Sequence, residues 1–482
     1  MAHDADAEFL AMISEWLPYV STRGTAPVLG FSDVLLAGLA TDGGLYVPGR
    51  WPELAPALEG VNPIERPYAD VAVEVMWPFV AGNIDRPDFE RIVADTYATF
   101  RDPSVTPMRD LGDGTWLMEL FHGPTLAFKD VALQLVGRLF DHELRVRGER
   151  IMIVGATSGD TGSAAIEAVR DRASIDIVML HPEGRVSDVQ RRQMTTVDSP
   201  NVHNVAIEGS FDDCQDLVKA MFNDLPFRVE QSLSAVNSIN WARVMAQIVY
   251  YVVAAERLGV RRGGPLAFSV PTGNFGNVFA GFAAQSMGLP ISQFVVGSNE
   301  NDILTSFFAD GTMTIGDVHP TLSPSMDIQV SSNLERLLFE LYDRDGAAIR
   351  ELMDRFRAEG HVGIDARKLG RLHRHWDGAR VDDAETVAAI RSTYERTGII
   401  IDPHTAVGVA AAQKCRRSAD APMVVLATAH PAKFPDAVER AIGVRPELPE
   451  HLADLLDRHE RCVRLPNDLA AVQQYVRSVS RV

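Results

Sequence analysis

The sequence predicts an α/β fold: two αβ domains with parallel-type sheets, plus an N-terminal region and a helical insertion. Three observations predict it. The chain has 482 residues, more than one hydrophobic core usually holds, so two or three domains are expected. Short β-branched runs alternate with helical periods through the middle of the chain, the pattern of buried parallel strands in βαβ units. Three of the turns that close these strands gather small and hydroxyl-bearing residues, at the carboxyl edge where open α/β sheets hold ligands.

Taken in order, residues 1–110 mix helices and loops around a "TDGGLYVP" turn and form an N-terminal region. Ala132, Leu135, Val136, Leu139 and Phe140 then recur at helical spacing, which predicts an amphipathic helix starting near Lys129. "RIMIVGAT", "SIDIVML", "NVHNVAIEG", "PLAFSVPTG", "ISQFVVG", "GIIID" and "PMVVLATA" read as strands. "GSAAIEAVRDR", "VSDVQRRQMTTV", "NVFAGFAAQSMG", "PHTAVGVAAAQKC" and "KFPDAVERAIG" read as the helices between them. Gly288 and Pro290 close one helix, and Asp402-Pro403 opens another as cap and first-turn proline. Residues 301–395 are rich in charge and helical period ("SNLERLLFELYDRD", "AAIRELMDRFRAEG") and interrupt the alternation, so they read as an insertion.

The charge balance excludes some partners. Against 46 basic residues stand 65 acidic ones, a net of −19. Such a surface repels nucleic acid and anionic membranes, while a local positive site for a small anion stays open. Cys214, Cys415 and Cys462 are far apart with no CxxC pair, which argues against a disulfide framework or a zinc site and fits a reducing compartment. "MAHDADAEFL" carries acids where a signal peptide needs bases. "WARVMAQIVYYVVAAERLG" is interrupted by Arg243 and Gln247 and is too short to span a bilayer. A cytoplasmic protein without a membrane partner is expected.

The three turns carry the chemistry. "GATSGDTGSAA" (155–165) places two glycines, hydroxyl residues and one acid before a helix. Its backbone N–H groups could receive a carboxylate or phosphate, or it is simply a capped βα loop. In "PTGNFGNVFAG" (271–281), Gly273 and Gly276 flank Asn274 and Phe275. Small residues let backbone close around phosphate oxygens, and the other reading is a plain turn. No GK[ST] follows and the spacing is not GxGxxG, so neither a Walker loop nor a dinucleotide site is supported. "LATAHPAKF" (426–434) ends a strand at Thr428, whose hydroxyl points from the carboxyl end, and His430 in it reads as an ordinary loop histidine.

Lys129 is the odd residue. Leu126, Ala127 and Phe128 precede it, and Val131, Ala132 and Leu133 follow Asp130. An ammonium is costly among apolar groups, and the positive end of a helix disfavours it further. That placement should lower its pKa from the usual value of about 10.4. A lysine neutral enough to attack a carbonyl is what Schiff-base chemistry requires. The alternative is a snorkelling surface lysine. A lysine for an aldehyde, a Gly-Asn loop for a phosphate and a hydroxyl for a ring nitrogen together make the parts list for pyridoxal phosphate.

With these residues in view, the chain resembles the threonine synthases, fold-type-II (tryptophan synthase β-like) pyridoxal-phosphate enzymes. The resemblance runs in order through "YVSTRG", "FSDVLLAGLATDGGLYVP", "ELFHGPTLAFKD", "GATSGDTGSAA", "NSINWARVMAQ", "PTGNFGNVFAG", "MDIQVSSNLER", "DPHTAVG" and "ATAHPAKFP". The "STRG" segment and the 301–395 insertion place it with the longer, fungal and enterobacterial branch rather than the plant-type branch. The resemblance implies cofactor-binding α/β domains at 111–300 and 396–445, with a smaller mobile domain at about 150–230. It also implies an N-terminal domain at 1–110 and a C-terminal segment at 446–482.

By residue, the resemblance implies that Lys129 forms the Schiff base with the cofactor. Gly273, Asn274, Phe275 (by backbone) and Asn277 would hold the cofactor phosphate, and Thr428 would hydrogen-bond the ring nitrogen. Thr157, Ser158 and Thr161 would receive the substrate carboxylate. The family substrate is O-phospho-L-homoserine, converted with water to L-threonine and phosphate. Arg243, Lys433 and Arg23 are the candidates for its phosphate, with a structural ion pair as the other reading of each. His404 packs or caps. No metal is implied, no regulatory domain is visible, and a monomer or weak homodimer is expected. The nearest rival is a phospholyase of the same fold that yields 2-oxobutanoate. Threonine dehydratase lacks this N-terminal region, and the intact Lys129 argues against a non-catalytic pyridoxal-phosphate-binding protein.

Overall fold

The computed structural model describes residues 16–54, 66–260 and 264–482. The chain divides into two compact units, Met1–His122 with Ser238–Pro446, and Gly123–Asn237 with Glu447–Val482. Among the described residues no helix is long and apolar enough to cross a membrane.

The first unit is built on a six-stranded sheet in the order Trp376–Arg380, Ile291–Ser298, Leu266–Pro271, Met423–Ala427, Thr115–Glu119, Met108–Gly112. All neighbours are parallel except the last pair. That pair is a hairpin turning at Asp113 and Gly114, both at positive φ. The "DG" dipeptide is its sequence signal. Helix Pro403–Cys415 packs on four of the parallel strands. It starts as the sequence predicts: Asp402 accepts from the amides of His404 and Thr405, and Pro403 fills the first helical position. "GIIID" is not a strand. Helix Asp383–Thr397 ends at Gly398 in the left-handed conformation, and only Gly398–Asp402 link it to the next helix. Ile401 is buried in the core there without a ladder partner, so its apolar character reports packing rather than pairing. The segment 301–395 supplies helices and also the edge strand Trp376–Arg380.

Near its N-terminus this unit pairs Tyr19–Ser21 with Tyr46–Pro48 antiparallel. Asp42 ties the "TDGG" turn, accepting from Ser21 Oγ at 2.7 Å and from the amides of Thr25 and Ala26 at 2.9 Å and Gly44 at 3.0 Å. Burial alone would raise its pKa, but these donors outweigh it and hold the carboxyl at about 2.

The second unit has an all-parallel sheet in the order Val463–Pro466, Val202–Glu208, Ile175–Pro182, Ile151–Ala156, Leu233–Ser234. Strand Ile175–Pro182 is buried along its whole length, which explains its run of apolar residues. The C-terminal segment contributes the edge strand and helix Leu469–Val479, whose Val472 and Val476 enter the core of this unit.

Candidate active site

In the second unit, helix Lys129–Arg147 begins at Lys129 itself. The loop ahead of it is braced by the next residue: Asp130 accepts from the Thr125 amide at 2.8 Å and the Thr125 hydroxyl at 2.7 Å. Leu126 takes a left-handed φ of 62° and is buried beside Val189, Leu452 and Leu455. A branched residue in that region is strained unless its surroundings hold it. The apolar run before Lys129 is the anchor that aims the helix start.

Lys129 is buried, and its ammonium reaches Asp160 Oδ2 at 3.4 Å. The other oxygen of Asp160 accepts from Gln190 Nε2 at 2.8 Å. Asp160 opens helix Asp160–Val169 at the end of strand Ile151–Ala156. The sequence flagged the loop that holds Asp160 but not its contact with Lys129, and Gln190 was read only as part of a helix.

The three loop residues expected to meet a carboxylate differ in setting. The Thr157 hydroxyl oxygen is buried and accepts from the amides of Gly159 at 3.0 Å and Gly162 at 2.9 Å. Ser158 is exposed and Thr161 is half-buried. Thr157 therefore shapes the loop, while Ser158 is open to solvent and Thr161 partly so.

In the first unit, the Gly-Asn turn joins strand Leu266–Pro271 to helix Gly276–Ser286. Phe275, the residue before that helix, has a φ of 64°. Its ring is buried and lies 5.6 Å from that of Trp376 and 6.1 Å from that of Phe308. Aromatic stacking holds a conformation that a non-glycine residue seldom adopts. The carbonyls of the turn are tied back: Gly273 O accepts from Ser331 Oγ at 2.7 Å and Asn274 O from Asn333 Nδ2 at 2.9 Å. A Cβ on Gly273 would lie 3.0 Å from Ser325 O and 3.3 Å from Met326 Cα. The side chain of Asn274 is exposed.

Asn277 is buried, and its Oδ1 accepts from the hydroxyls of Tyr250 at 2.5 Å and Tyr251 at 3.2 Å. Its Nδ2 has no partner. Thr428 follows strand Met423–Ala427 and is buried, its amide donating to Thr405 Oγ1 at 3.3 Å.

The three cationic candidates, all in this unit, diverge. Arg23 is committed to Glu335 in a buried pair. Lys433 is fully buried in the turn after Thr428. Arg243, on helix Trp241–Arg257, is buried with Nε and Nη1 unpartnered. Desolvation pushes its pKa down to about 10. His404 lies in the first turn of the helix that Asp402 caps: Nδ1 meets Asp402 Oδ1 at 2.8 Å and Nε2 accepts from the Ser325 amide at 3.2 Å.

Comparison with known proteins agrees along the chain. Family profiles described as "Threonine synthase N terminus", "Pyridoxal-phosphate dependent enzyme" and "Threonine synthase, C-terminal" match residues 18–97, 102–362 and 405–476. Threonine synthase of Pseudomonas aeruginosa is 56% identical over 460 residues, covering 95% of this chain and 97% of that protein. The crystal structure of pyridoxal-phosphate-bound threonine synthase from Brucella melitensis superposes with a TM-score of 0.94 at 52% identity, covering 97% of this chain and 100% of that one. Threonine synthase from yeast superposes at 0.91 with 37% identity, over 96% and 98%.

Fold and sequence define a pyridoxal-phosphate-dependent lyase of fold type II. Within that class, the chain belongs to the threonine synthase family. The residues present fit the cofactor. Asn277 offers a buried, oriented and unpartnered Nδ2–H, and the Gly273 turn opens its backbone amides at a helix start.

Proposed function

We propose that this chain converts O-phospho-L-homoserine and water to L-threonine and phosphate. One observation carries the reading most directly: Arg243, a buried guanidinium with two N–H-bearing nitrogens unpartnered. An unpaired buried cation is costly, and a phosphate dianion is the complement that would offset it.

Bound, pyridoxal phosphate supplies an aldehyde for amines and a ring that accepts the electron pairs released at Cα and Cβ. The chain does the rest. Lys129 holds the cofactor at rest. Its amine, when not linked to the cofactor, would take the proton first from Cα and then from Cβ. Gly273, Asn274, Phe275 and Asn277 fix the cofactor phosphate. Ser158 and Thr161 receive the substrate carboxylate on a loop shaped by Thr157. Arg243 holds the substrate phosphate until it leaves from Cγ. Thr428 gives the ring nitrogen a neutral hydroxyl partner, which keeps the electron sink milder than a carboxylate would. A proton then returns to Cγ, water adds its hydroxyl at Cβ, and Cα regains its proton to complete threonine.

The rival reading is a phospholyase that stops after elimination. Reaction in heavy-oxygen water separates them by product mass. Threonine carrying the heavy oxygen on its side-chain hydroxyl is expected, and 2-oxobutanoate with ammonia in place of threonine would overturn the reading.

A further inference from the structure

A chain of side chains in the second unit runs from an exposed helix cap to the reacting lysine. Ser187 caps helix Asp188–Thr195, its Oγ accepting from the Gln190 amide at 3.4 Å. The same hydroxyl donates to Gln190 Oε1 at 2.8 Å. That leaves Gln190 Nε2 to donate to Asp160 Oδ1 at 2.8 Å, and Asp160 Oδ2 to accept from Lys129 Nζ at 3.4 Å. The amide orientation is forced, because an ionised carboxylate only accepts.

The backbone is built around this chain. Gly159 sits at a φ of +148°, and a Cβ there would lie 2.5 Å from Gln190 Cδ and 2.6 Å from its Oε1. Any side chain at 159 would displace the Gln190 amide. Gln190 and Asp160 are both buried, where a fixed dipole acts with little screening.

We propose that Gln190 is a positioning residue that sets the proton affinity of Lys129 through Asp160. With one carboxylate oxygen held by Gln190, the other stays on Nζ and favours the protonated nitrogen. Without the Gln190 donor the carboxylate is free to rotate to other donors, and Nζ gives up its proton at lower pH.

Other charged groups on the packed elements have partners of their own. Asp130 is bonded to Thr125, and Glu167 is paired with Arg170 at 3.2 Å. On helix Asp188–Thr195, Arg191 pairs with Asp188 at 3.0 Å and with Glu460, and Arg192 pairs with Glu460 at 3.5 Å.

This inference rests on Lys129 being the cofactor-bearing lysine, and the test keeps the two apart. The readout is the pH titration of the visible absorption band of the holoenzyme, which follows the proton on the cofactor-linked nitrogen. If Lys129→Ala keeps the band, the assignment of Lys129 itself fails. With that assignment standing, Asp160→Asn should lower the titration midpoint by at least one pH unit, a tenfold change in proton affinity. Gln190→Met keeps length and volume but removes the donor, and should lower the midpoint about threefold in proton affinity, with an unchanged melting temperature. A purely packing role would move the melting temperature and leave the midpoint alone. An unmoved or raised midpoint in Gln190→Met overturns the proposal. Should Asp160→Asn fail to fold, Gln190→Met decides alone.

Discussion

Arg23 Nε meets Glu335 Oε1 at 3.0 Å, and Arg23 Nη2 meets Glu335 Oε2 at 2.9 Å. Thr22 adds its hydroxyl to Glu335 Oε1 at 2.6 Å. The partners lie 312 residues apart in the chain and are both buried. Next to Glu335, Arg336 is wholly buried and donates twice to Tyr46 O, at 3.1 and 2.9 Å, and to Ile239 O at 2.6 Å. The "STRG" and "GLYVP" segments are thus pinned to the helix that follows Asn333, and Asn333 in turn holds the Asn274 carbonyl.

Removing one member of the Arg23–Glu335 pair strands a buried charge. Glu335→Ala should destabilise the protein by about 3–5 kcal/mol, whereas the double replacement Arg23→Met with Glu335→Leu should cost less. Denaturant unfolding of the single and double variants checks this. A double variant as unstable as the single one would show that the pair is not the source of the loss.

Arg243 predicts the opposite pattern. Two of its nitrogens bond to nothing in the protein, so Arg243→Met should keep or raise the melting temperature. It should weaken binding of the phosphorylated substrate by about 1.5–3 kcal/mol, the worth of hydrogen bonds to a charged group. KM and the melting temperature measured on one preparation decide. Normal KM with lost stability would make Arg243 structural.

Gly273 predicts a cofactor defect. Its missing Cβ leaves the turn close against the backbone of Ser325 and Met326. Gly273→Val should push the turn outward and raise the pyridoxal-phosphate dissociation constant severalfold or more. Asn277→Ala removes the unpartnered Nδ2–H and should act in the same direction. Equilibrium dialysis against the cofactor measures both, and unchanged affinity in both variants would reduce the segment to a turn.

Local signals made much of this legible in the sequence. Alternating strands and helices gave each sheet three of its parallel strands but missed Thr115–Glu119, Trp376–Arg380, Leu233–Ser234 and Val463–Pro466, and the period of Ala132, Leu135, Val136, Leu139 and Phe140 set the helix that starts at Lys129. Contacts between distant segments were not legible, because no local pattern encodes them. Asp160 is 31 residues from Lys129 and Glu335 is 312 from Arg23. "GIIID" misled because burial without a ladder looks like a strand when only hydrophobicity is read. The hairpin at Asp113-Gly114 carried a readable turn signal that the run of helical and parallel-strand patterns overshadowed.

The last prediction concerns Lys129. Three lysines compete for the cofactor on chemical grounds. Lys219 is exposed and paired with Asp216 at 2.9 Å, the setting of an ordinary surface ammonium. Lys433 is fully buried in the Pro431–Lys433 turn. Lys129 is buried at the first position of a long helix, on a loop braced by Asp130 and by the strained Leu126. Lys129 combines a rigid base, a buried setting and a carboxylate on its nitrogen, and a Schiff-base lysine needs its nitrogen held in place and its proton controlled. Borohydride reduction of the holoenzyme followed by peptide mapping should therefore place the pyridoxyl group on Lys129. Lys129→Ala should lose the visible band while keeping its fold by circular dichroism. Because the Gly273 turn remains, that variant should still take up the cofactor non-covalently, with weaker affinity. A pyridoxyl label on Lys433 or Lys219 would overturn the assignment.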